Sequence, residues 1–135
     1  MTRLVIDAPT LLRLVTTGVE VDPGHQLVAP NAIRSQALAL LSTAVGRGEL
    51  TEREARTRHD ELTALRIRLL GDRVSRWTAW AIARDHGIPL GDAEYLAVTR
   101  LQADVFVSVD DDARALAEPV VPIGTVDLLA APSGR

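Results

Sequence analysis

The chain has no cysteine and no lysine, and only one Phe, one Tyr and two Trp in 135 residues. Without cysteine, a disulfide scaffold and a thiolate metal site are both excluded, and a cytoplasmic location is unopposed. With aromatics at 3%, the core must be aliphatic. All 15 basic residues are arginine, which reads first as the codon bias of a GC-rich genome and second as a side chain suited to phosphate contacts. The missing lysine also counts against a receiver-like phospho-accepting domain, which would want one after a late strand. No run approaches the ~18 uninterrupted apolar residues that a membrane-spanning helix needs. The first apolar run, Leu4-Val5-Ile6, is too short for a signal peptide and stops at an acid. There is no glycine-rich phosphate loop and no nucleophile-elbow sequence, so nucleotide binding and covalent hydrolase chemistry have no support. The net charge of −3 does not announce a polyanion binder, although a local arginine patch can outweigh a modest global charge.

What is present reads as alternating strands and helices, the pattern of an α/β fold with a mostly parallel sheet. The length predicts one domain over residues 1–130, with a small, polar, flexible tail over 131–135. Leu4-Val5-Ile6 is apolar on both faces, as a covered parallel strand is. Pro9 suits the first turn of the helix that follows, and Gly18 its stop. Gln26 to Pro30 predicts a second strand, and Asn31 a cap for a helix carrying Ile33, Ala37, Leu40, Leu41 and Ala44 on one side. Thr51-Glu52-Arg53-Glu54 fits a capping box opening a charged helix. Asp72 predicts the cap of a helix to Asp85, with Val74, Trp77, Ala81 and Ile82 on one side. Trp77 and Trp80 read as core and rim packing rather than a nucleobase platform. Strands are expected at 105–109 and at 120–123, the last at an edge because Pro122 cannot donate.

The chemistry-bearing residues are acids. Asp7 ends the first strand, Asp110 ends the strand 105–109, and Asp92 enters the first turn of the helix from Ala93. In open α/β sheets ligands bind beyond the carboxyl ends of the strands. Converging carboxylates are unfavourable unless a cation holds them together. Each acid also has a structural reading, as a helix cap or as a favourable charge at a helix N-terminus. Asp110-Asp111-Asp112 carries more negative charge than a cap needs, and Asp112 can approach the same site as Asp110. An EF-hand is excluded because the loop lacks its Gly and terminal Glu. His25, His59 and His86 have no metal-ligand spacing.

Leu4-Val5-Ile6-Asp7-Ala8, Ala29-Pro30 before a long apolar helix, Leu90-Gly91-Asp92-Ala93-Glu94-Tyr95-Leu96-Ala97 and Val107-Ser108-Val109-Asp110-Asp111-Asp112 occur in an order and spacing that resemble the PIN domain. The resemblance is in particular to the toxin ribonucleases of VapBC toxin–antitoxin pairs, and runs from Leu4 to about Ile123. It implies a PIN-like three-layer α/β/α sandwich and hydrolysis of RNA phosphodiester bonds with Mg²⁺ or Mn²⁺. It further implies a cognate antitoxin and a homodimer. Carried over by motif, Asp7, Asp92 and Asp110 are the catalytic and metal-holding acids, with Asp112 as a further ligand and Ser108 as an auxiliary. Arg13, Arg34 and Arg73 are the candidates for contacts to the RNA backbone. One departure stands out: where the family has a Glu in the helix after Ala29-Pro30, this chain has Gln36. An amide oxygen can ligate a metal but carries no charge and cannot act as a base. The alternative expectation is therefore a catalytically weak PIN-like domain that binds RNA or a protein.

Overall fold

The computed structural model describes residues 1–131. Residues 132–135, most of the tail expected from the sequence, lie outside the described residues; Ala131 itself donates its N–H to the Glu20 carbonyl at 2.9 Å. Strands β1 (Thr2–Ile6), β2 (His25–Pro30), β3 (Arg68–Leu70), β4 (Val105–Val107) and β5 (Ile123–Gly124) form one sheet in the order β3-β2-β1-β4-β5, every pair parallel. The chain first winds outward from β1 through α1 (Ala8–Thr17) to β2, then through α2 (Ile33–Gly46) and α3 (Glu52–Ala64) to β3. It then crosses back through α4 (Arg73–His86) and α5 (Leu90–Gln102) to β4, and through α6 (Asp111–Ala117) to β5. Helices α1, α2 and α3 pack together, while α4 packs on α5, which lies against β1, β2 and β4. Right-handed crossovers put these two groups on opposite faces, so the architecture is a three-layer α/β/α sandwich.

The core is aliphatic. Leu4, Val5 and Ile6 are completely buried, as are Ala29, Ile33, Leu62 and Leu129. No helix among the described residues is long and apolar enough to cross a membrane. Several local rules act as the sequence predicts. Asp7 caps α1, Gly18 ends it in a left-handed conformation at φ 67°, Thr51 and Glu54 form a reciprocal capping box, and Asp72 caps α4.

Four details differ from the sequence expectation. The strand 105–109 stops at Val107, because the next backbone donors turn to side chains: the Val109 N–H to Thr10 Oγ1 at 3.0 Å and the Asp110 N–H to Ser108 Oγ at 3.0 Å. The strand expected at 120–123 is displaced to Ile123–Gly124, since the N–H groups of Val120 and Val121 are taken by the Ala117 carbonyl at the end of α6. Asn31 does not cap α2; its N–H pairs with the Leu70 carbonyl, closing the last pair of the β2–β3 ladder, and α2 starts without a side-chain cap. The inner side of α4 is Ser75, Ala79 and Ile82, while Val74, Trp77 and Trp80 face outward at 61%, 60% and 48% exposure. Small residues let α4 sit close on α5, and close packing of the helices outweighs burial of the larger side chains.

Candidate active site at the β1–β4 switch

The winding direction of the chain reverses between β1 and β4, the place where open α/β sheets form a crevice at their carboxyl edge. Ile6 pairs with Val107, so Asp7 and Ser108 leave the sheet side by side. Ser108 Oγ donates to Asp7 Oδ2 at 2.6 Å. The other carboxylate oxygen, Oδ1, accepts the Thr10 N–H at 3.2 Å and the Thr10 hydroxyl. Asp7 is therefore both the cap of α1 and a buried carboxylate, 7% exposed, with its orientation fixed from two sides.

A cavity of about 460 Å³ opens there, lined by Asp7, Gln36, Asp92, Tyr95 and Asp110, with Leu40, Leu96, Phe106 and Leu116 among its apolar walls. Asp92 comes from the first turn of α5, which starts at Leu90 after Pro89, three residues earlier than the Ala93 expected from the sequence. Burial against the cavity wall, then the nearby Asp7 and Asp110, push its carboxyl above the usual carboxylate range. Asp110 caps α6, with its Oδ1 accepting the Asp112 N–H at 3.0 Å. Leu40, expected in the core stripe of α2, is half-open and forms part of the wall.

Gln36 lies in the same cavity, where its Oε1 accepts the Tyr95 hydroxyl. Burial, followed by the charges of Asp7, Glu94 and Asp92, drives the Tyr95 phenol far above its ordinary value, so it remains a proton donor. Asp112 is exposed and does not line the cavity. Arg13, Arg34 and Arg73 do not line it either: Arg34 has a buried Nε without a partner among the described residues, and Arg73 borders a separate surface depression.

The sequence reading missed Thr10 and Arg114. Thr10 holds both Asp7 and the Val109 N–H, tying β1–α1 to the 108–110 turn. Arg114 donates to the Ser108 carbonyl at 2.6 Å and pairs with Asp111. Thr10 was findable, since it stands three residues after a capping Asp; Arg114 needs the turn's three-dimensional path.

The donors suit a hard divalent cation, which prefers carboxylate oxygens. Asp7, Asp92 and Asp110 share one cavity and none is ion-paired among the described residues. They are near enough to raise the Asp92 carboxyl, yet no three His, Cys, Asp or Glu side chains among the described residues are gathered tightly enough to hold an ion.

Neither a protein-family model nor a curated protein matches the chain in sequence. Among solved structures, the fold is similar to the crystal structure of PAE2754 from Pyrobaculum aerophilum. The TM-score is 0.71 at 18% identity, over 93% of this chain and 90% of that one. At that identity the likeness establishes the shared α/β fold and nothing about activity.

Proposed function

We propose that the chain is a metal-dependent endoribonuclease of the PIN-domain kind, hydrolysing RNA phosphodiester bonds as the toxin of a toxin–antitoxin pair. The observation that carries this reading is the meeting of Asp7, Asp92 and Asp110 in one cavity at the sheet's switch point. The acids stand too far apart in this structure to hold an ion together; drawn closer, Asp7, Asp92 and Asp110 would be the residues to hold Mg²⁺ or Mn²⁺, which when bound would supply an activated water and offset charge on the phosphate. The chain's own residues prepare the site. Thr10 and Ser108 hold the Asp7 carboxylate in one orientation. Arg114 and the Thr10 hydroxyl hold the turn that carries Asp110. Partial burial and the neighbouring Asp7 and Asp110 raise the Asp92 carboxyl, a strain that a bound cation would relieve. RNA is the proposed substrate, with a cognate antitoxin, a homodimer and a cytoplasmic location belonging to the same reading.

A second reading has its own observation. Gln36, an uncharged amide, occupies the cavity and is engaged by Tyr95, so the site has one carboxylate fewer than the resemblance implies. Under that reading the domain binds RNA or a protein with little catalysis. Cleavage of a single-stranded RNA with Mn²⁺ or Mg²⁺, by the wild type and by Asp7→Asn and Gln36→Glu, separates the two. The enzyme reading expects metal-dependent cleavage that Asp7→Asn abolishes. The binding reading expects an inert wild type and a gain in metal affinity or activity in Gln36→Glu, on the order of 1–3 kcal/mol in metal binding.

A further inference from the structure

Helix α4 turns its largest apolar side chains away from the core. Trp77 and Trp80 are the only tryptophans of the chain; Trp77 is largely and Trp80 about half in solvent, beside exposed Val74. Their rings meet edge to face with centroids 5.8 Å apart, and the Arg84 guanidinium lies 5.6 Å over the Trp80 ring. Arg73, Trp77, Trp80 and Arg84 recur at helical spacing and form one stripe, aromatic in the middle and cationic at both ends. Arg100, from the C-terminal turn of α5, faces the start of that stripe: a shallow depression is lined by Arg73, Val74, Trp77, Thr78, Ala81 and Arg100. No carboxylate of the described residues lines it, although acids outnumber bases in the chain as a whole. Neither Arg73 nor Arg100 forms an ion pair among the described residues.

We infer that this face of α4 is a docking surface for single-stranded nucleic acid, with bases stacking on Trp77 and Trp80 and phosphates meeting Arg73, Arg84 and Arg100. Single strands are bound without sequence reading by this combination: a cationic track for the backbone and exposed aromatic rings for the bases. Arginine serves better than lysine because its planar group both stacks and bonds phosphate bidentately. Charge complementarity favours a polyanion over an apolar protein partner, since the depression offers cations at its border and no acid to answer a basic peptide. The surface is separate from the cavity. Arg100 lies roughly 12 Å along the α5 axis from Asp92. That the strand is RNA rests on the function proposed above; the docking itself does not.

The tryptophan placement supplies the test, because all indole emission comes from this face. The intact protein is titrated in EDTA with a mixed-sequence single-stranded RNA 12-mer, and separately with a duplex of the same length, following tryptophan emission. Saturable quenching is expected with the single strand and weaker quenching with the duplex. The log–log slope of affinity against salt should be about −2, from three arginines at about 0.7 each. Trp77→Ala should weaken binding about 5- to 100-fold, read through Trp80. Arg73→Ala, which keeps both indoles, should reduce the salt slope by about 0.7. The inference is overturned if single-stranded RNA leaves the emission unchanged at low salt. It is equally overturned if emission shifts with protein concentration alone, since the face is then an interface between protein copies. Quenching without metal-dependent cleavage leaves this surface standing and defeats the ribonuclease reading; cleavage without quenching does the reverse.

Discussion

The cavity between β1 and β4 and the outer face of α4 both leave side chains in places that proteins ordinarily avoid, but they do so at opposite structural expense. In the cavity the exceptional residues also build the fold. Asp7 caps α1 and bridges to Ser108, and Asp110 caps α6. On α4 the exceptional residues carry little of the packing: Trp77 and Trp80 meet each other and Arg84 lies over Trp80, while Ser75, Ala79 and Ile82 are the buried side chains of the helix. A change at the cavity therefore confounds stability with function. A change on the outer face of α4 isolates function.

The two sides of α4 sharpen that contrast most. Ile82, 1% exposed, fills the inner side, and Ile82→Ala should destabilise the fold by about 2–5 kcal/mol in urea denaturation. Trp77→Ala removes a larger side chain and should stay within about 0.5 kcal/mol. If Trp77→Ala were the more damaging of the two, α4 would be packed the other way round.

Asp7→Ala comes next. It removes the cap of α1 and leaves the buried Thr10 and Ser108 hydroxyls without their acceptor, an expected loss of about 2–3 kcal/mol by the same measurement. A neutral result would mean that this carboxylate serves the cavity alone.

The smallest effect is in pH, and its sign differs between the regions. The Asp92 carboxyl is raised in the folded state, so the fold binds its proton more tightly than the unfolded chain does. Its penalty is absent below the unfolded carboxylate range and complete once pH has passed the raised folded value. For a group this open to solvent the penalty is less than about 1 kcal/mol. At the start of α4 the Asp72 carboxyl is lowered, chiefly by the Ser75 N–H, so its contribution is present above the unfolded value and fades as the solution is acidified. Stability measured against pH in Asp92→Asn should lose the first dependence and keep the second. An unchanged profile would mean that neither burial nor the neighbouring acids raise the Asp92 carboxyl.

Much of the frame was legible in the residues because it rests on local rules. The apolar strand before Asp7, the capping box at Thr51 and the cap at Asp72 each need only a few neighbouring positions. The candidate site was legible in part for the same reason: Asp7, Asp92 and Asp110 each stand where an element begins or ends, and the parallel register of β1 with β4 brings two of them together. The remainder depends on contacts between distant segments. The pairing of Gln36 with Tyr95 spans α2 and α5. The anchoring of the Asp110 turn by Thr10 joins residues 99 positions apart. The orientation of α4 was misread because two stripes have helical spacing, and the bulkier was assigned to the core. Side-chain size argued for Trp77; the close approach to α5 selects Ala79.

Whether the acidic cavity is a cation site is tested most directly by Mn²⁺ titration calorimetry on the EDTA-stripped protein, comparing the wild type with Asp92→Asn. Asp92 caps no helix through its side chain, so this variant keeps the capping contacts of Asp7 and Asp110. Saturable Mn²⁺ binding in the wild type, weakened at least tenfold in a folded Asp92→Asn protein, is the expected result. Equal Mn²⁺ binding by the two proteins, or none by the wild type, would contradict the assignment of this cavity as a metal-dependent active site.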